Sequence, residues 1–251
     1  MKRHPHRRIV AACLSKISPS LVWVGCSDGC IWRIDWTSGS MEHLAVKREN
    51  PLMDMTVQTV RIGRELREIL VTSEMVSQAS QIMAWEFLNP SKPNVVKLHG
   101  HDSGVGNLRS SSEGRFLAGT CGRSIVIGNL TTDPLRSFED LKYQFYSFDV
   151  SDDIFSFDLR CSPQRSSKGS SASRDISTAI LDLVVGCVRG AIFVYHDVMG
   201  RLRGAGKSGS SEGTIKPRKL HWHRKTVQSV KWSQDGKLNR TLAACMLTHT
   251  R

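Results

Sequence analysis

Four times along this chain an apolar run ends in a small residue, a turn follows, and a second apolar run, usually with an aromatic side chain, comes back. The copies are Leu21-Val-Trp-Val-Gly25 with Ile31-Trp-Arg-Ile-Asp-Trp36, Ile69-Leu-Val-Thr-Ser73 with Ile82-Met-Ala-Trp-Glu-Phe87, Phe116-Leu-Ala-Gly119 with Ile125-Val-Ile-Gly-Asn-Leu130, and Leu183-Val-Val-Gly186 with Ile192-Phe-Val-Tyr-His-Asp197. From Gly25 to Ser73 is 48 residues, from Ser73 to Gly119 is 46, and from Gly119 to Gly186 is 67. The last step contains a polar insertion from Ser162 to Thr178, and without those 17 residues it falls to 50. Self-similarity at a fixed period marks an array, in which each unit buries its apolar faces against its neighbours.

A period near 50 residues, built from β-branched and aromatic runs, does not fit helical solenoids and points to propeller blades of four strands each. The predicted fold class is all-β, an incomplete β-propeller of about four blades plus the start of a fifth. Blades are expected over residues 1–198, with the Ser-rich insertion at 162–178, followed by a basic Gly/Ser-rich loop over 199–219 and a truncated blade over 220–251. After Leu238 the repeat calls for a strand ending small, a turn and an aromatic return; Leu242 to Leu247 resembles the strand, but its partner is missing. Open sheet edges and unburied blade faces are hazards, so the chain is expected to be a fragment of a longer protein.

The outer members of the repeat have a common layout. Gly100-His101 precedes Val105-Gly-Asn-Leu108 and the turn Ser112-Glu-Gly-Arg115; His221-Trp-His223 precedes Val227-Gln-Ser-Val-Lys-Trp232 and the turn Ser233-Gln-Asp-Gly-Lys237. A His at the entrance, an alternating strand, a Ser-x-acid-Gly turn, a strand ending small and a closing aromatic strand resemble the WD-repeat blade. The resemblance implies that His101 and His223 are structural, hydrogen-bonding between strands, and that Asp235 belongs to a hairpin; Trp85 and Trp232 are likewise assigned to the scaffold. No Ser or Cys stands in reach of these histidines by the pattern, so no catalytic residue is assigned.

Composition narrows the class. The longest apolar stretches fall far short of the ~20 residues of a membrane span, and no membrane association is expected. The basic N-terminus, Met1 to Arg8, is followed by only six apolar residues, Ile9 to Leu14, too short for a secretory signal core. Seven Cys, an odd number, lie mostly in or beside strand-like runs and suit reduced thiols of the cytosol or nucleus. Cys26-Ser-Asp-Gly-Cys30 flanks a hairpin turn with no second ligand pair nearby, whereas structural zinc takes four ligands; no metal and no cofactor are assigned. The acidic pairs Glu139-Asp140 and Asp152-Asp153 fall in predicted turns and are read as solvated.

Charge separates the chain from an inert scaffold. Lys and Arg number 35 against 23 acids, a formal net charge of +12. From Met199 to Lys225 stand eight basic residues, Arg201, Arg203, Lys207, Lys216, Arg218, Lys219, Arg224 and Lys225, against the single acid Glu212. Basic loops on a rigid frame suit contact with phosphate backbones, which is sequence-tolerant and weakens with salt; these eight are the candidate RNA-contacting residues. A solvated charged loop is the other reading. Gly206-Lys207-Ser208 lacks the earlier Gly and the strand-to-helix context of a phosphate-binding loop. The Ser-rich, basic insertion Cys161 to Arg174 reads as a surface insertion open to phosphorylation.

Leu21 to Gly39, Phe155 to Asp158, Val184 to Tyr195 and above all Leu220-His-Trp-His-Arg-Lys-Thr-Val-Gln-Ser-Val-Lys-Trp-Ser-Gln-Asp-Gly236 resemble the N-terminal propeller of a WD-repeat subunit of the eukaryotic small-subunit processome, in its fungal form. That family belongs to the subcomplex associated with U three small nucleolar RNA that also supports transcription of ribosomal DNA. The resemblance spans most of residues 9–238. It implies a nucleolar, non-catalytic scaffold in pre-rRNA processing, whose partners are other processome proteins and pre-rRNA or small nucleolar RNA, with no small-molecule substrate. The alternative is a protein-only WD-repeat adaptor, such as a ubiquitin-ligase substrate receptor or trafficking scaffold.

Overall fold

The computed structural model describes residues 8–44, 50–89, 92–112, 114–131, 135–162, 179–205, 215–221 and 224–232. Sixteen strands form four separate antiparallel sheets, each made of four strands consecutive in sequence. The first contains β1 (Ile9–Leu14), β2 (Leu21–Cys26), β3 (Ile31–Asp35) and β4 (Ser40–Leu44). The second contains β5 (Leu52–Ile62), β6 (Glu65–Val76), β7 (Ala79–Glu86) and β8 (Asn94–His101). The third contains β9 (Gly106–Ser110), β10 (Phe116–Cys121), β11 (Ser124–Leu130) and β12 (Tyr143–Asp149), and the fourth β13 (Ile154–Ser162), β14 (Ile180–Cys187), β15 (Ala191–Tyr195) and β16 (Arg218–His221). The four hairpins of the repeat are β2–β3, β6–β7, β10–β11 and β14–β15, the middle pair of every sheet. The chain divides into two compact units, residues 1–121 with 126–145, and residues 122–125 with 146–251.

In the first unit the sheets stack through alternating faces. Side chains on one strand point alternately to the two sides, so the aligned Val57, Leu70 and Trp85 of the second sheet share one face, while Ile69, Val71, Ile82 and Ala84 share the other. Val57, Leu70 and Trp85 pack with Trp23, Ile31 and Leu44 of the first sheet, joined by Leu52 and Met55. The opposite face packs with Val105, Leu108, Leu117 and Val126 of the third sheet and its approaches. Burial on both sides explains why Ile69-Leu-Val is a continuous apolar run rather than an alternating one. Each such buried aliphatic side chain stabilises the fold by about 1.5–3 kcal/mol.

Neighbouring sheets meet most closely at their first strands. Cys13 Sγ on β1 donates to Met55 O on β5 at 3.1 Å, and Ser110 Oγ on β9 donates to Val57 O at 2.7 Å. Asp54 on β5 accepts from the backbone N–H of Leu108 at 2.5 Å. Burial here pushes the Asp54 carboxyl above its ordinary range and the Cys13 thiol up to about 11.

The second unit repeats this contact. Residues 227–232 run beside β13: Ser156 Oγ donates to Val227 O at 3.0 Å, and Trp232 N–H to Asp158 Oδ2 at 2.9 Å. Val227 and Val230 bury against Val184, Ile192 and Val194. Thus the segment expected to open a fifth blade packs as a first strand would, although it forms no ladder.

The small residue that ends the second strand of a sheet now has a physical cause. A Cβ on Gly25 would lie 2.3 Å from Leu52 Cδ2, and one on Gly186 would lie 2.6 Å from Val227 Cγ1 and 2.7 Å from Ser156 Oγ. At Gly25 the small position makes room for β5, the first strand of the following sheet, and at Gly186 for the segment 227–232, whereas a Cβ on Gly119 would lie 2.6 Å from Val105 Cγ1, on the approach to β9 of its own sheet.

Two expectations need correction. The segment 199–219 is not a continuous loop: Val198–Ala205 form helix α1, and Arg218–His221 form β16. His221 accordingly belongs to the last strand of the fourth sheet, opposite Ala191, and the boundary placed at residue 220 falls inside that strand. Extra bulk at the small position should be costly. Gly186→Val is expected to lower stability by about 2 kcal/mol, read as a fall in the urea midpoint, whereas Gly106→Ala, which has nothing within 4 Å, should change it far less.

Candidate nucleic-acid interface

The basic segment is positioned from the fourth sheet by one buried carboxylate. Asp182 on β14 is 5% exposed and accepts from Arg160 Nη2 at 2.8 Å and from the backbone N–H of Asp197 at 3.1 Å. His196 Nδ1 lies 3.5 Å from Oδ1, the oxygen that accepts from Asp197, while Arg160 takes Oδ2. Asp197 follows the end of β15 in a left-handed conformation, φ 48°, which short polar side chains tolerate. Its carbonyl accepts from Arg201 N–H at 3.2 Å and its side chain from Gly200 N–H at 3.2 Å. It therefore caps α1, a contact worth about 1 kcal/mol, while Val198 and Met199 bury the helix's first turn.

From that anchored helix the cations fan out. Arg201, Arg203, Lys216, Arg218, Lys219, Arg224 and Lys225 are all exposed. Arg201 Nη1 donates to Lys216 O at 3.0 Å, bringing the end of α1 beside the approach to β16. Arg218 and Lys219 lie opposite Val194 and Phe193, so their side chains emerge on opposite faces of the sheet. Lys219 Nζ stands 5.8 Å from the Phe193 ring centroid. Lys207, like His223 and Asp235, lies outside the described residues. The helix and strand thus bring Arg201 and Lys216 together and divide Arg218 from Lys219.

Of the residues assigned to the scaffold, Trp85, Trp232 and His101 lie among the described residues. Trp85 is 7% exposed, and its indole N–H donates to Thr72 Oγ1 at 2.9 Å; that hydroxyl is 3.0 Å from Glu74 Oε1. Trp232 Nε1 donates to Asp158 O at 3.3 Å, and the Arg160 guanidinium sits 4.3 Å from its ring centroid. His101 does not bond between strands as expected. Its Nδ1 meets Ser103 two residues on, accepting from the Ser103 N–H at 3.3 Å, and Ser80 Oγ ties that loop down by donating to Ser103 O at 2.7 Å.

Other sequence assignments are also located. Cys26 and Cys30 flank a tight turn in which Cys26 N–H donates to Cys30 O at 2.9 Å and Cys30 N–H to Asp28 Oδ1 at 3.1 Å. Among the described residues no group of three or more His, Cys, Asp or Glu is placed to hold a metal ion. Asp152 is not solvated: it is 7% exposed with Arg189 at 3.7 Å, while Arg123 pairs with Asp153 at 3.0 Å. Burial, together with Asp152 and Asp153, pushes the Cys187 thiol up to about 12.

The pair Arg160–Asp182 was not singled out in the sequence. Arg160 and Asp182 face each other across β13 and β14, separated in sequence by the insertion, and an isolated charge in each apolar run was the only available sign. No known protein family matches this chain, and no curated protein matches it either. Removing the buried acceptor should loosen the whole segment. Asp182→Ala is expected to cost about 3 kcal/mol, because it strands a partly buried guanidinium, and to speed tryptic cleavage after Arg201 or Arg203 in limited proteolysis.

Proposed function

We propose that this chain is a non-catalytic WD-repeat β-propeller scaffold of the nucleolar small-subunit processome, acting in pre-rRNA processing and in support of ribosomal DNA transcription. Its basic segment contacts pre-rRNA or small nucleolar RNA, and its sheets carry other processome proteins. Four successive four-stranded meanders, with β1 meeting β5 and β5 meeting β9 in the first unit, support the propeller reading. The run from Leu220 to Gly236 supports the processome reading through its family resemblance.

One observation carries the RNA contact. Seven described cations between Arg201 and Lys225 are exposed, with no acidic residue among the described positions from Val198 to Trp232. Cations arranged so release counterions when phosphates bind, and affinity then falls with salt. The protein-only adaptor draws on a different fact: Arg218 and Lys219 leave β16 on opposite faces, so a single phosphate strand does not track both.

Affinity purification of the tagged chain from its own cells, with sequencing of bound RNA and identification of bound proteins, separates these readings. Pre-rRNA and processome subunits are expected. Binding of RNA in vitro should show a log–log salt slope of about −0.7 for each phosphate contacted. Replacing Arg203, Lys216, Arg218 and Lys219 by Glu should weaken it by at least about tenfold, or 1.4 kcal/mol. Protein partners without RNA, and no salt-sensitive binding in vitro, would establish the adaptor instead.

A further inference from the structure

We propose that the first unit carries a docking pocket for a short linear peptide in which an apolar side chain stands next to a carboxylate. The pocket encloses about 260 Å³ between the first and second sheets, where the β1–β2 loop, the start of β6 and the end of β7 come together. It shares no residue with the basic segment and stands whether or not that segment binds RNA.

Its walls are held in place by Glu68. One carboxylate oxygen accepts from Trp23 Nε1 at 2.8 Å; the other accepts from Ser15 Oγ at 2.8 Å and from Lys16 N–H at 2.6 Å. These bonds fasten the β1–β2 loop to β6 and fix the indole that forms the floor. Trp23 in turn lies 5.3 Å from the Phe87 ring. A ligand entering this pocket pays little for ordering it, the condition under which a small contact yields useful affinity.

The accessible chemistry is apolar and cationic. Ile17 and Leu88 line the pocket while remaining 50% and 67% exposed. Trp36 and Leu66, 63% and 57% exposed, extend apolar surface at the same strand ends. Such surface beyond the cavity suits a chain segment rather than a compact small molecule. The lining carboxylates are already engaged: Glu68 as above, and Glu86, 3% exposed at its side chain, by Arg67 Nη1 and Asn94 Nδ2, each at 2.9 Å. Of the two lining guanidiniums, Arg67 is taken up by Glu65 and Glu86, whereas Arg33, 33% exposed, bonds Glu42 through Nη2 alone among the described residues and turns the rest of its fork to the pocket. A carboxylate on the ligand is therefore complementary to what the pocket leaves free, and charged hydrogen bonds to Arg are among the stronger ones available.

Fluorescence anisotropy on the full chain tests this with labelled ten-residue peptides. Each carries one central Leu, Phe, Ile or Trp in a Gly/Ser background, flanked on one side by Glu or by Lys. At least one Glu-flanked peptide is expected to bind, and its Lys-flanked counterpart to bind at least about tenfold more weakly, a difference of 1.4 kcal/mol. Arg33→Glu and Leu88→Asp, both at exposed or half-exposed positions, should each reduce binding at least tenfold while the thermal midpoint stays near that of the unmodified chain. Absence of binding by every Glu-flanked peptide at about 1 mM, a limit near −4 kcal/mol, would overturn the proposal. So would equal binding of Glu and Lys peptides, or binding unchanged in both variants.

Discussion

A four-stranded antiparallel meander pairs its inner strands from within but leaves backbone groups open on its two edge strands and has two apolar faces that it cannot bury alone. Everything else in this protein depends on how one sheet covers the next. The covering is tightest at the first strands, where Cys13 and Ser110 each send a side-chain donor to a main-chain carbonyl of β5 and Ser156 sends one to the segment 227–232. A donor too short to hold the strands apart is required there, and Ser and Cys supply it. The small position at Gly25 and Gly186 meets the same demand from the other side, because any side chain would occupy the volume of Leu52 or Val227. The repeat visible in the sequence is thus the trace of this packing contact more than of any one strand.

That explains what was legible and what was not. The middle hairpins of the second, third and fourth sheets could be read because they are largely buried on both faces, so β-branched and aromatic residues fill them continuously, while β2–β3 is half-buried and was read from its aromatic return. Strand β5, 11 residues long, was missed although it pairs with β6 over its whole length, since Asp54, Thr56, Gln58 and Thr59 interrupt its apolar pattern. Those polar groups face neighbours supplied by distant sequence: Asp54 meets Leu108, and Gln58 reaches Gly114 O and the Tyr143 hydroxyl. Helix α1 was hidden for the same reason. Met199-Gly-Arg-Leu-Arg-Gly has poor helix formers, and the cap at Asp197 acts only because Asp182, 15 residues earlier, holds its N–H. His101 shows the reverse case, a residue whose position was legible but whose bonding partner was not.

Charge plays two separate roles in this molecule. Cations of the basic segment are exposed and stand on or beside the ends of elements, as Arg201, Arg203, Lys216 and Lys219 do. Carboxylates placed for architecture are buried or saturated, as Asp182, Glu86 and Glu68 are. The net charge of +12 comes to the surface partly because several acids are consumed inside, holding donors.

Both candidate binding surfaces hang on a single acid at the base of a loop. Glu68 receives three donors from the β1–β2 loop and one from Trp23, and Asp182 receives the N–H that begins α1 together with a guanidinium. An ionised carboxylate is an acceptor with about four lone-pair directions, so it can gather several backbone and side-chain donors at one point where an amide would turn two of its own donors toward them. A rigid sheet fixes where such an acid stands; the acid then fixes where the loop stands. Precision at the rim is in this way inherited from the core.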